Sequence, residues 1–139
     1  MGFNADNVFV KATARDALLD SVNSAFQDEK WKIAISDPLD GWVQIIESHE
    51  NTPSEFTRKL SANLKCVAVC AQLYEVAGEI SWSVFESGIE LEAIYEETPR
   101  DPSGEIKDLL LRKGIPFEMR LFREVVVQKQ GWTIAQNHG

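Results

Sequence analysis

Hydrophobic and polar residues alternate most regularly between Cys66 and Glu96, where the chain reads CVAVCAQLYEV, then AGEISWSVFES, then GIELEAIYEE. Glycine or a small residue stands at each break, at Ala77-Gly78 and Ser87-Gly88. Period-2 alternation with such breaks predicts three consecutive antiparallel strands joined by tight turns. The first is apolar at each position from Cys66 to Ala71, so both of its faces should be covered. The second sets Ile80, Trp82 and Val84 against Ser81 and Ser83. The third sets Ile89, Leu91, Ala93 and Tyr95 against Glu90, Glu92 and Glu96.

The rest of the chain reads as helices and strands around this meander. Residues 7–12 (NVFVKA) predict a first strand. Thr13 is a candidate helix cap with Asp16 three residues on. Ala17, Leu18, Val22, Ala25 and Phe26 then recur as one helical stripe, which predicts a helix to about Asp28. WKIAI (31–35) alternates as a half-buried strand, DPLDG (37–41) is a turn by composition, and WVQIIE (42–47) completes a hairpin. Thr52, Pro53 and Glu55 form the clearest helix start, with Pro at the first helical position. Phe56, Leu60 and Leu64 fall on one face of that helix. TPRDPSG (98–104) reads as a loop because it holds two prolines and a glycine. A helix from about Glu105 to Arg112 should stop at Gly114. Beyond Pro116, Phe117, Leu121 and Val125 suggest another helical turn, Val125-Val126-Val127 a strand, and Trp132, Ile134 and Ala135 a short last strand.

The predicted order is β-α-β-β-α-β-β-β-α-α. It implies a single α+β domain (1–139) with a mainly antiparallel sheet of about six strands, two main helices on one face, and a C-terminal helical segment. The tryptophans with Phe9, Phe26, Phe56 and Phe85 should fill the layer between helices and sheet. The other face stays open unless residues 105–135 cover it. Segments 13–48 and 53–87 share a helix-strand-strand plan with a tryptophan in each second strand (Trp42, Trp82), a weak internal repeat. The plan is similar in architecture to that of small bacterial α+β domains, immunity and adaptor proteins among them.

Composition narrows the class. With 139 residues and 44% hydrophobic content, the chain is long enough for a core and unlike a disordered one. No apolar run approaches the roughly 20 residues of a membrane helix. MGFNADNVFVKATARD has no basic region followed by an apolar stretch, so no signal peptide is expected and the cytoplasm is the expected compartment. Asp6 stands where a myristoylation signal needs Ser or Thr.

The charge is unevenly placed. The net value is −8, and residues 75–105 carry nine acidic side chains against Arg100 alone. Elsewhere acidic and basic residues cancel. Such a field repels nucleic acid. It fits either solvated strand edges that deter aggregation or an acidic surface for a basic partner.

Reactive constellations are scarce. Cys66 and Cys70 on one strand would lie about 13 Å apart, beyond the roughly 7 Å a disulfide allows, and read as small apolar residues. His49 beside Glu47 and Glu50 offers too few local ligands for a metal, and His138 is penultimate. No phosphate-binding glycine loop, nucleophile elbow or calcium loop occurs. Glu90 and Glu92, about 6.6 Å apart on one predicted strand face, would suit acid–base chemistry or a cation, and equally a wet sheet face. No cofactor or metal is expected.

Two functional expectations follow. The first is a non-enzymatic protein-binding domain of adaptor, regulatory or immunity type. It would dock a basic partner through the 75–105 surface, with Glu86, Glu90, Glu92, Glu96 and Glu97 as its acidic residues, and would also self-associate through a sheet edge. The immunity-type version neutralises a basic nuclease toxin. The second is a small-molecule-binding domain or modest enzyme with a pocket between the sheet and residues 105–135. Trp82, Tyr95 and Trp132 are the aromatic candidates for a pocket or interface, with Tyr74 and Phe85 nearby on the meander.

Overall fold

The first strand, β1 (Asn4–Lys11), runs through the middle of the sheet and is flanked by β3 (Trp42–Glu47) and β4 (Val67–Tyr74). The computed structural model describes residues 4–12, 15–26, 30–47, 53–97 and 99–138. Thr13, Thr52 and His49 lie outside the described residues. The remaining elements are α1 (Arg15–Ala25), β2 (Lys30–Ser36), α2 (Pro53–Leu64), β5 (Glu79–Glu86), β6 (Ile89–Glu97), α3 (Pro102–Lys113), α4 (Phe122–Gln128) and β7 (Trp132–His138).

All pairings are antiparallel, in the order β6-β5-β4-β1-β3-β2-β7. This is the expected α+β architecture, with seven strands rather than about six because the C-terminal segment pairs along β2 as β7. Within it, β4-β1-β3-β2 is a split β-α-β arrangement. The crossovers β1-α1-β2 and β3-α2-β4 interleave, each stepping over one strand of the other. α1–β2 and α2–β4 therefore hold equivalent places, whereas β3 and β5 do not.

Side-chain periodicity explains which face each helix takes. Leu18, Val22 and Phe26 project from the α1 segment, and Phe56 and Leu60 from α2. They bury Val8, Val10, Ile33, Ile35, Val43 and Ile45. Ala17, expected in the α1 stripe, is exposed instead. The Phe26 and Phe56 rings stack with centroids 4.9 Å apart, which locks the two helices side by side. WKIAI is more than half buried, because Ala34 meets α4 on the opposite face.

That opposite face is closed by the C-terminal third. Ile106, Leu109 and Leu110 of α3, with Ile115, pack on Phe9, Trp42, Val69, Ala71, Ile80 and Trp82. Each fully buried Val, Leu, Ile or Phe side chain contributes about 1.5–3 kcal/mol relative to exposure. α3 begins three residues before the expected Glu105, inside the predicted loop. Pro102 takes the first helical turn, and Asp101 Oδ1 accepts from Gly104 N–H at 3.2 Å. The same two residues that read as loop formers are a helix start. Val125-Val126-Val127 is helical, not extended. Glu124 Oε1 accepts from Leu121 N–H at 3.1 Å to cap α4, and Val125 is buried on Ala34 and Ile46. Tertiary packing here overrides the strand preference of a β-branched run.

Between α3 and α4, residues 115–121 cross the sheet without regular structure. Two fully buried amides hold them. Asn7 Oδ1 accepts from Arg120 N–H at 2.8 Å and Asn7 Nδ2 donates to Arg120 O at 2.9 Å, so one side chain pairs with both main-chain groups of one residue. Gln44 Nε2 donates to Asn7 Oδ1 at 2.6 Å and to Glu118 O at 2.7 Å. A segment without a sheet or helix ladder needs such partners to be buried at all.

Removing one member of this network should be costly. Asn7→Ala leaves the Gln44 amide and the Arg120 peptide buried with fewer partners. We expect a loss of about 2–4 kcal/mol, read from the urea midpoint at unchanged slope. A loss below about 0.5 kcal/mol, the scale of an ordinary surface substitution, would show that the amides do not hold the segment.

Candidate docking surface on the outer strand

Cover on both faces stops short of β6. Among the described residues that strand pairs only with β5, and it ends the sheet. Eight of its nine residues are exposed, Ile94 alone being partly buried. Its large side chains include Ile89 at 66% exposure, Leu91 at 59% and Tyr95 at 59%. Ile94 leans onto the core formed by α3 and Trp82.

The hairpin that carries β6 is pinned at its tip. Ser87 and Gly88 both have positive φ, 50° and 85°, as a two-residue turn between twisted strands requires. Gly88 N–H donates to Ser61 Oγ of α2 at 2.9 Å, and a side chain at 88 would place Cβ 2.9 Å from Ala62 Cβ. Glycine alone fits this contact without displacement.

A register shift changes which glutamates share a face. Phe85 pairs with Glu90, whereas its neighbour Val84 pairs with Glu92. Directly paired residues share a face and adjacent residues on β5 do not. Glu90 therefore lies on the α1/α2 side with Tyr95 and Glu97. Glu92 lies on the α3 side with Glu86 and Glu96. The expected separation of one apolar and one acidic face is overturned, and so is the side-by-side Glu90–Glu92 pair. The irregularity inserts a residue into β6, and alternation in sequence carries no sign of it.

All five acidic candidates, Glu86, Glu90, Glu92, Glu96 and Glu97, are exposed. Among the described residues no Lys or Arg forms an ion pair with Glu86, Glu90, Glu92 or Glu96. Tyr95 O–H donates to Glu97 Oε1 at 3.3 Å. Its phenol is held above the ordinary range by lost hydration and by the Glu79 and Glu97 carboxylates. A groove of about 440 Å³ between β6 and α3 is lined by Ile94, Glu96, Glu105, Asp108, Leu109, Leu111 and Arg112. Arg112 shares that lining with three carboxylates. The Glu105 carboxyl titrates above its usual value, first because it hydrogen-bonds to Glu96 and then through lost hydration and neighbouring acids.

The aromatic candidates separate. Tyr95 is on the surface. Trp82 is 2% exposed and lies in the core beneath α3, with no hydrogen-bond partner for its indole Nε1 among the described residues. Trp132 packs with Ile134 and Phe122 around Ala34, Ile46 and Val125. Trp82 is enclosed because the C-terminal third covers the sheet, whereas Trp132 is half-buried and lines a separate groove of about 500 Å³ with Asp37, Leu39, Phe117 and Arg120.

Other chemistry-bearing groups have structural surroundings. Tyr74 O–H donates to Asp6, and Gln72 Nε2 donates to Asp6 Oδ1 at 3.1 Å, so β1 and β4 are tied beyond their ladder. Burial, then the Asp6 hydrogen bond, pushes the Tyr74 phenol up. Cys70 is buried and its thiol is pushed up to about 12, chiefly by burial, against a small opposing hydrogen bond from Thr57. Cys66 is raised for the same first reason. Both are poor nucleophiles near neutral pH.

A second concavity, of about 540 Å³, lies between α3, Leu73 and residues 115–119. Its walls are Ile106, Leu110, Leu111, Ile115, Phe117 and Met119, and its rim carries Glu75, Ser103, Lys107 and Glu118. None of Trp82, Tyr95 and Trp132, the aromatics named for a pocket in this region, lines it. Asn7, Gln44 and the segment they hold had no signal beyond two polar residues within apolar strands.

The coupled carboxyls give a pH signature. The folded-state value of Glu105 is raised, so its contribution to stability is full below the ordinary carboxyl range and is lost as pH rises through the raised value. An NMR titration of Glu105 should show a midpoint above 4.5 that falls back toward 4.5 in Glu96→Gln. An unshifted wild-type midpoint would contradict the contact. Compared with known proteins, the chain matches no family description, no curated protein and no solved structure.

Proposed function

We propose that this chain is a non-enzymatic protein-binding domain of adaptor, regulatory or immunity type that docks a basic partner on the 75–105 surface. The observation that carries the reading is the state of β6. It is an outer strand, exposed on both faces, with four glutamates and no ion pair at Glu90, Glu92 or Glu96 among the described residues. Uncompensated like charges in one place raise the local negative potential and speed encounter with a cation-rich surface. Ile89, Leu91 and Tyr95 supply apolar area that charge alone would not.

A second reading places a small apolar molecule in the groove beneath residues 115–119. The 540 Å³ volume and the apolar walls favour it. Reversing charge on β6 separates the two, because the substitutions spare that groove.

The test is retention of basic proteins from host extract on the immobilised chain, eluted by a salt gradient. Wild type should retain a basic partner that elutes as the Debye length shortens below about 8 Å. The variant Glu86→Lys/Glu90→Lys/Glu92→Lys should not retain it. Identical retention by both chains would overturn the acidic-surface reading.

A further inference from the structure

We infer that the outer side of β6 receives an extended, lysine- or arginine-rich segment of the partner as an eighth strand of the sheet. The inference rests on the docking reading above and specifies how docking occurs. Among the described residues β6 is paired on one side only, by β5. Its nine residues therefore present a row of main-chain donors and acceptors to solvent along their outer side. A peptide that pairs with them gains main-chain hydrogen bonds, and its side chains meet those of β6 as cross-strand neighbours.

The side chains of β6 state the chemistry of that neighbour. The register shift puts glutamate on both faces, Glu90 and Glu97 on one and Glu92 and Glu96 on the other. Exposed Ile89, Leu91 and Tyr95 stand between them. A matching strand needs cations toward both faces, interspersed with apolar residues. A second copy of this chain fits poorly, since pairing β6 with itself brings four glutamates from each strand into one ribbon. The other outer strand, β7, reads WTIAQNH and has no Asp, Glu, Lys or Arg with which to select a charged partner. The hairpin tip held by α2 through Gly88 and Ser61 keeps β6 extended before a partner arrives.

Main-chain pairing has a signature that electrostatic contact lacks. The probe is a nine-residue peptide of repeating Lys-Lys-Val-Val pattern, which matches β6 in length and places lysine on both strand faces. Two further versions carry N-methyl groups on alternate residues or on every residue. Alternate amides of a strand point to the same side, so the first version keeps one free edge and the second has none. Affinity is measured by fluorescence anisotropy, with sedimentation to report self-association.

We expect the fully N-methylated version to bind about tenfold or more weakly than the parent while the alternately methylated one binds like it, consistent with loss of several hydrogen bonds. The variant Glu90→Lys/Glu92→Lys/Glu96→Lys should not bind the parent peptide. If both N-methylated versions bind like the parent while the charge-reversed chain does not, acidic docking stands and strand addition is overturned. If charge reversal leaves parent binding unchanged, the docking reading falls as well. No binding of the parent to wild type, or a dimer lost on charge reversal of β6, overturns strand addition by a basic segment.

Discussion

Two side-chain amides buried in the sheet, those of Asn7 and Gln44, set the condition on which the other layers rest. The central strands β4, β1, β3 and β2 carry apolar side chains on both faces, so both faces must be covered. α1 and α2 cover one by helical packing. The other is crossed in part by residues 115–121, which have no ladder of their own. Asn7 pairs with both main-chain groups of Arg120, and Gln44 reaches Glu118 O. These contacts allow an irregular segment to lie over a core without leaving its polar atoms unpaired. α3 and α4 are then delivered to either side of it.

The same arrangement determines what stays outside. α1 and α2 sit over the split β-α-β centre, and α3 reaches the sheet as far as Trp82 and Ile94. β6 extends past both layers. A bare hydrophobic outer strand invites aggregation, and glutamate on both of its faces is one way a sheet avoids pairing with copies of itself. On the docking reading we propose, that charge is also a selection rule, since it disfavours a like-charged strand and favours a basic one. The solvated-edge reading and the docking reading of the 75–105 acids describe the same residues from these two directions.

Much of the architecture is legible in residue order. Alternation marks β2, β3 and the meander, and glycine marks the turns. The stripes Leu18-Val22-Phe26 and Phe56-Leu60 mark the face that α1 and α2 bury. Four features are hidden, each for a physical reason. The bulge in β6 inserts a residue without altering composition, so the glutamates appear on one face when they occupy two. Pro102 reads as a breaker, yet beside the Asp101 cap it begins α3. Val125-Val126-Val127 favours a strand intrinsically, but Ala34 and Ile46 accept it as a helix. The pairing of β7 with β2, which half-buries Trp132, is a contact about a hundred residues apart in sequence, which no local pattern reports. At the candidate site the charge was visible and its geometry was not.

Amide hydrogen exchange measured residue by residue tests the central claim, that cover is complete at the middle of the sheet and absent at its acidic outer strand. Amides of β1, β3 and β4 should exchange only through global unfolding. Those of β6 that face outward should exchange orders of magnitude faster, with intermediate rates in β5. Uniformly slow exchange across β6, equal to that of β1, would contradict the account.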